Sequence, residues 1–291
     1  MKYFLETKIY MNTHISIHIY SSKEKEFVMG KIKDAFSMFE YVVKKYSRFD
    51  PSSELSIMNS KSGSETEISA ELYMLIKHSL DVAKLSDGAF DPTIIDILEA
   101  YGYTAKYDFD KLKNRELLEK EIVGIVKNRP SYKDIVLEER NGKYYITLKK
   151  GQRIDLGGCG KGYAIDLAYD ALNDLESYMI DAGGDIRCYG LKDGIDKWNI
   201  GLYNPDDPNK PLGNVELSSG ESIACSGSFA RKVDYFHHLI NPKTGKPEDK
   251  HKVCFVTANN ALIADTFATV SYILGEEARK ILPTSTKLLL S

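Results

Sequence analysis

Four glycines, Gly157, Gly158, Gly160 and Gly162, fall within one short stretch, Ile154-Asp155-Leu156-Gly157-Gly158-Cys159-Gly160-Lys161-Gly162-Tyr163-Ala164-Ile165-Asp166. Ile154 to Leu156 read as a strand end. The glycines read as a turn that can take φ > 0 and let a ligand approach the backbone. A helix is predicted from about Gly162 to Glu176, with Ala164, Leu167, Ala168, Ala171 and Leu172 inward. Its first N–H groups face back on the turn with partial positive charge, a common setting for a phosphate or diphosphate. Lys161 adds a mobile cation and Asp155 a carboxylate. Anion donors beside a carboxylate point to phosphoryl chemistry with a metal ion between them. The spacing is neither G-x-x-x-x-G-K-[ST] nor G-x-G-x-x-G, so neither a P-loop nor a dinucleotide-fold fingerprint is present. A tight strand-to-helix connection without ligand is the plain alternative.

At 291 residues the chain can bury a large core, as one large domain or two intimate ones. A net charge of −3 gives no electrostatic reason to expect nucleic acid or acidic membranes. Cys159, Cys188, Cys225 and Cys254 form no C-x-x-C pair, so they read as reduced thiols. Met1–Lys8 lacks an apolar run, which predicts no signal peptide or membrane span. The expected location is cytoplasmic; an extracytoplasmic, membrane-associated location is the alternative if a leader has been trimmed.

Residues 3–20 read as two strands, with His14, Ser16 and His18 alternating with Ile15, Ile17 and Ile19. Ser21 and Glu24 suit a capping box before a long helix ending near Ser47. Pro51 marks a turn into a short helix, and Phe49 is a ligand contact or a hinge plug. Ser69 caps a helix to about Ser86. In Gly88-Ala89-Phe90-Asp91-Pro92-Thr93, Asp91 stands near a helix N-cap. Residues 108–129 are charge-dense and read as a solvated helix. Asn141-Gly142 is the strongest hairpin signal. Gly183-Gly184 reads as a bulge or as bare backbone admitting a ligand. His237 and His238 precede a Pro-Lys-Thr-Gly turn, as acid/base or phosphate-donor candidates or as turn-stabilising residues. The last large helix begins near Asn259 or Asn260. On it Asp265 and Thr269 are four apart and project from one face, where they suit a hard cation such as Mg²⁺. This helix is apolar nearly all round, so a buried Asp265 needs a partner.

Taken in order, SRFDPSSELS (47–56), GAFDPT (88–93), DLGGCGKGYAID (155–166), DAGGDI (181–186), CSGSFAR (225–231), HHLINPKTG (237–245) and ADTFATVSYILG (264–275) resemble the FAD:protein FMN transferase family, the ApbE type. The resemblance runs from Met11 to about Gly275. It implies an α+β fold of mixed sheets with packed helices: a single monomeric domain, 1–291, whose two subdomains enclose a flavin cleft. The implied activity is Mg²⁺-dependent transfer of the FMN part of FAD to a Thr or Ser hydroxyl of an acceptor flavoprotein, with release of AMP. A Mg²⁺-dependent FAD pyrophosphatase and a non-catalytic flavin-binding protein are the alternatives.

The resemblance further implies that Asp265, Thr269 and a backbone carbonyl near Gly158 hold the Mg²⁺. Asp155 and Lys161 face FAD, while Met11, Phe49, Ala89, Phe90 and Asp91 line its pocket. Asp181 belongs to another ligand-facing segment. His238, beside Leu239, serves the activation step, with Asp155 and Asp265 as its catalytic companions. The chain departs from many relatives at Gly160, where they carry Ala or a bulkier residue.

Overall fold

The computed structural model describes residues 1–291, except for the side chains of Ala230 and Arg231. The last two side chains of the CSGSFAR block therefore lie outside the described residues. The chain opens with β1 (Lys2–Tyr10), β2 (Thr13–Ser21), α1 (Lys25–Tyr46), α2 (Glu54–Ser60), β3 (Glu65–Ile68), α3 (Ala70–Leu85), α4 (Ile95–Ala100) and α5 (Arg115–Asn128). The hairpin β4 (Val136–Arg140) and β5 (Lys143–Thr147) leads to α6 (Gly160–Ala171). Then follow β6 (Ser177–Ala182), β7 (Asp185–Tyr189), β8 (Trp198–Gly201), β9 (Asn214–Leu217) and β10 (Ser222–Gly227). The chain closes with β11 (Ile240–Asn241), β12 (Lys246–Pro247), β13 (Val253–Ala258), α7 (Ala261–Leu274) and β14 (Lys287–Leu290).

A seven-stranded antiparallel sheet, ordered β1-β2-β6-β7-β10-β13-β14, organises these elements. The period-2 pattern of β2 works as expected, and Ile15, Ile17 and Ile19 are completely buried. They join Ile180, Ala182, Val256 and Ala258 beneath the apolar stripes of α1, α6 and α7. On the reverse face Ile186, Cys188, Ile223, Val253 and Phe255 pack against Trp198 and Leu217 of the β8–β9 hairpin. Strand β13 is thus covered on both sides, which explains its unbroken run of apolar and small residues. A second sheet, β3-β5-β4, and a separate cluster joining α4 and α5 to Phe236 and Ile240 complete the core.

Local signals account for several element ends. Ser53, Ser69 and Asn260 accept hydrogen bonds from Ser56, Leu72 and Ile263 backbone N–H groups and cap their helices. Asn141 and Gly142 take φ of 54° and 73°, the mirror-image turn that a two-residue hairpin prefers.

Other expectations fail for identifiable reasons. No capping box forms at Ser21, because that residue ends β2 and its hydroxyl is bonded to Glu176; Glu24 holds the N-cap position of α1 without a side-chain bond. Asp91 is not an N-cap, since α4 begins after Ile94; its Oδ1 accepts from Thr93 N–H at 2.9 Å instead. The solvated helix of 108–129 is interrupted at Asn114, whose side chain caps α5. Gly183 and Gly184, with φ of 66° and 96°, form no bulge; they are the two-residue turn between β6 and β7. Ile154–Leu156 join no sheet: the Asn59 side chain satisfies Ile154 N–H at 2.8 Å and its carbonyl at 2.9 Å, and Asp155 N–H donates to Pro92 O at 2.8 Å. The following helix starts at Gly160 and stops at Ala171, not at Gly162 and Glu176.

None of Gly157, Gly158, Gly160 and Gly162 takes a positive φ. Three of them matter for space. A Cβ on Gly162 would lie 2.3 Å from Ala261 O and 2.8 Å from Asp265 Cβ, and one on Gly158 would lie 2.7 Å from the Phe90 ring. One on Gly157 would meet the Asp155 carboxylate at 2.9 Å, whereas Gly160 faces open space. Gly162→Ala is therefore expected to destabilise the chain by roughly 1–3 kcal/mol, because the obstacle is backbone. Gly160→Ala is expected to be neutral or to stabilise by up to about 1 kcal/mol, since helix replaces glycine favourably there. Urea unfolding of the two variants measures both effects.

Glu71 on α3 ties this region together, accepting from Tyr41 and Lys45 of α1 and Tyr163 of α6. Burial opposes its ionisation, but the hydrogen bonds from Lys45, Tyr163 and Tyr41 outweigh it and hold its pKa at about 2, against an ordinary 4.5. A depressed carboxyl contributes stability that is complete above pH 4.5 and is lost as pH falls toward 2. Unfolding followed across this window should show a steeper acid loss for the native chain than for Glu71→Gln.

Candidate functional site

The late helix and the glycine turn meet directly. Gly162 N–H, in the first turn of α6, donates to Asp265 Oδ2 on α7 at 2.8 Å. In return Asp166 on α6 accepts from the first amides of α7, Ala261 N–H at 2.8 Å and Leu262 N–H at 2.9 Å. Each helix thus supplies the carboxylate that caps the other. Asp166 is also paired with Arg187 at 2.7 Å; burial nevertheless pushes its carboxyl above the usual range. One consequence departs from expectation: the N-terminal amides of α6 are not all open toward a ligand, because Asp265 takes Gly162 N–H.

Lys161 stands beside this junction. Its ammonium contacts Asp185, the first residue of β7, and lies 3.9 Å from Asp265 Oδ1. Asp185 is 1% exposed, and its other oxygen accepts from Cys225 N–H at 3.0 Å. Thr269 follows Asp265 by one helical turn and is half-buried. Asp181 lies two residues before the Gly183-Gly184 turn, accepts from Gly184 N–H at 2.8 Å, and has its carboxyl pushed up by burial.

A second set of contacts radiates from Asp155. Its Oδ1 lies 3.6 Å from Arg48 Nε, and Arg48 is nearly buried. The Arg48 guanidinium stacks 4.1 Å from the Phe49 ring centre and donates to Tyr103 O at 2.9 Å. The Tyr103 ring is stacked against His238 at 6.5 Å and meets Tyr107 edge-on at 5.3 Å. Tyr107 in turn accepts from Asn12 at 3.0 Å, in the β1–β2 turn that also holds Met11. Met11, Phe49, Asp155 and His238 are therefore joined through Arg48, Tyr103 and Tyr107. Phe90 closes on Gly158, and Ala89 and Leu239 are buried in the same core cluster as Phe90. Asp91 stands apart: its carboxylate is committed to Thr93 and to buried Arg129, at 3.0 Å. His237 is also structural, fully buried between Asp249 and Leu239 N–H, and burial lowers its pKa.

Arg48, Tyr103, Asp166 and Asp185 were not singled out from sequence. Asp166 and Asp185 each end or follow a glycine motif, and that position is a usable signal. Arg48 stands in the SRFDPSSELS block, but its contacts, like those of Tyr103, exist only once distant segments meet. Among the described residues no group of three or more His, Cys, Asp or Glu side chains is arranged for a metal. A surface groove of about 670 Å³ lined by Tyr73, Lys77, Leu80 and Val136 shares no residue with this site.

Comparison with known proteins converges on one family. Residues 11–288 match the ApbE family. The ApbE protein of Thermotoga maritima superposes with a TM-score of 0.85 at 30% identity, covering 99% of this chain and 94% of that one. A Haemophilus influenzae protein named FAD:protein FMN transferase is 28% identical over 275 residues, 90% of this chain and 75% of that protein. A Rhodobacter capsulatus protein of the same name is 27% identical over 232 residues, 77% of this chain; the match spans only 43% of that relative.

The crossed caps carry a stability prediction. Asp166→Ala removes the cap of α7 and strands Arg187, so a loss of roughly 2–3 kcal/mol is expected. Asp166→Asn, which keeps an acceptor, should lose less; chemical denaturation compares them.

Proposed function

This chain belongs to the ApbE family, and from that premise we propose that it is an FAD:protein FMN transferase. In this reading an acceptor Thr or Ser hydroxyl attacks the FMN-side phosphorus of FAD. A new P–O bond to the acceptor forms, the bridging P–O bond breaks, and AMP leaves. The observation that carries the reading is the α6–α7 junction, where a helix N-terminus, the Lys161 ammonium and the Asp265 carboxylate converge.

The chain's own groups have distinct tasks. Lys161 and the positive end of the α6 dipole would offset charge growing on the diphosphate. Phe49, Phe90, Ala89, Met11 and Leu239 would line the flavin or adenine pocket, with Asp91 bracing the segment through Arg129. Asp181 would border the ligand from the β6–β7 turn. Asp155 and His238, linked through Arg48 and Tyr103, would position the acceptor hydroxyl and receive its proton.

Asp265, Thr269 and the Gly158 carbonyl offer a carboxylate, a hydroxyl and a carbonyl. Hard oxygen donors of this kind suit Mg²⁺, which is usually held by one or two carboxylates with waters and substrate phosphates; a cage of three acidic or imidazole side chains is not required. Bound there, the ion would supply Lewis-acid neutralisation of the diphosphate. Among the described residues no helix is long and apolar enough to cross a membrane.

Incubation with FAD, Mg²⁺ and an acceptor flavoprotein, followed by mass spectrometry, tests the proposal. The acceptor should gain one FMN by a phosphoester, with an equal amount of AMP. AMP release with an unmodified acceptor would replace transfer by hydrolysis, and FAD binding without AMP would leave a storage protein. Asp265→Asn, which can keep an acceptor for Gly162 N–H, should cost at least about 100-fold in rate with unfolding little changed.

A further inference from the structure

The two adjacent histidines have different surroundings. His237 is fully buried, whereas His238, where the chain bends, is half-buried. Both ring nitrogens of His237 are engaged. Leu239 N–H donates to Nδ1 at 3.3 Å, and Nε2 lies 3.2 Å from Asp249 Oδ1. A backbone N–H can only donate, so Nδ1 carries no proton and Nε2–H is the donor to Asp249. The ring is thereby neutral and in one tautomer. Burial lowers its pKa from the ordinary 6.5, aided by Lys232 and opposed by Asp249. Tyr272 of α7 meets the ring edge-on at 6.0 Å.

The bond from Leu239 N–H to the His237 ring spans the residue between them, His238. Two more bonds hold the same bend: Ile240 N–H donates to His238 O at 3.1 Å, and Glu248 N–H donates to Leu239 O at 3.0 Å. The His238 ring then stacks against Tyr103, with centres 6.5 Å apart. We propose that His237 is a positioning residue, which through Nδ1 fixes the bend at His238 and so the place of the His238 ring beside Tyr103. The inference deepens, and rests on, the reading of His238 as a group that receives the acceptor's proton.

Two substitutions separate the two bonds of the His237 ring. An Asn oxygen stands near the place of Nδ1 and can accept the amide two residues on, as Asn241 does from Lys243 N–H at 3.1 Å. A Gln amide reaches to the place of Nε2, which keeps a donor for Asp249 and gives up the acceptor for Leu239 N–H. Magnetic resonance of the full chain with labelled histidine reads the His238 ring signals, assigned with His238→Ala. Mass spectrometry of FMN transfer to an acceptor flavoprotein gives the rates, and thermal unfolding checks that each variant folds. His237→Asn should keep native His238 signals and a native rate. His237→Gln should move those signals and lower kcat at least about tenfold, because a small misplacement of a reacting group is costly. Its KM for FAD should stay within about twofold of native, since FAD binding is untouched. A role in packing alone would affect both variants alike. Unmoved His238 signals in His237→Gln, or equal losses in the two variants, would overturn the inference. So would a native chain whose His237 nitrogen signals show the proton on Nδ1, a result that needs no variant. Native transfer by His238→Ala would remove the reading of His238 and the inference with it, and it shows before any variant at 237 is compared.

Discussion

The crossing of α6 and α7 is the constraint on which the rest of the site depends. Two helix N-termini approach within backbone contact, and each carries unsatisfied amides and partial positive charge. Left alone, such ends would repel and leave buried donors unpaired. Asp265 and Asp166 resolve both problems by capping across the crossing. The approach is close enough to exclude any side chain at Gly162. Glycine at that position is thus a packing requirement, and the same packing presents Asp265 to the turn.

The resulting locus is electrostatically dense. Asp155, Asp166, Asp185 and Asp265 and the cations Arg48, Lys161 and Arg187 come from five separate segments, and each ion pair joins two of them. Burial makes every unpaired charge costly, so the arrangement is highly determined. A site already built from matched charges has few ways to relax, which suits chemistry on a diphosphate, where preorganised charge does most of the stabilising. The aromatic group Phe49, Tyr103 and Tyr107 extends from the same locus toward His238 and the β1–β2 turn. Polar and apolar parts of the site therefore share one support, Arg48, which bonds in one direction and stacks in the other.

Much of this could be read from sequence where the cause is local. The alternation in β2, the Asn141-Gly142 turn and the caps at Ser53, Ser69 and Asn260 depend on neighbours a few residues away. Failures occurred where a distant group won. Ser21 had a capping partner in its own segment but bonded to Glu176. Asp91 favoured Thr93 and Arg129 over a helix end. Ile154–Leu156 looked like a strand because Asn59, which satisfies its backbone, is remote in the chain. Gly183-Gly184 is different: the alternation on either side already fits a mirror-image hairpin turn, and that signal was in the sequence. Within the candidate site, Asp155, Lys161, Asp265 and His238 stand in motifs visible in the sequence, and Asp185 follows a glycine pair, whereas Arg48 and Tyr103 join them only through tertiary contacts.

The central claim is that a cation at Asp265 and a diphosphate at the glycine turn share one locus at the α6–α7 crossing. A crystal structure of the protein soaked with Mn²⁺ and ADP tests it most directly, because the anomalous signal places the metal without assumption. The account predicts a manganese peak beside Asp265 and Thr269, with diphosphate oxygens bridging it to the backbone between Gly158 and Lys161. Manganese and nucleotide bound elsewhere, for example in the groove beside Tyr73 and Lys77, would contradict it.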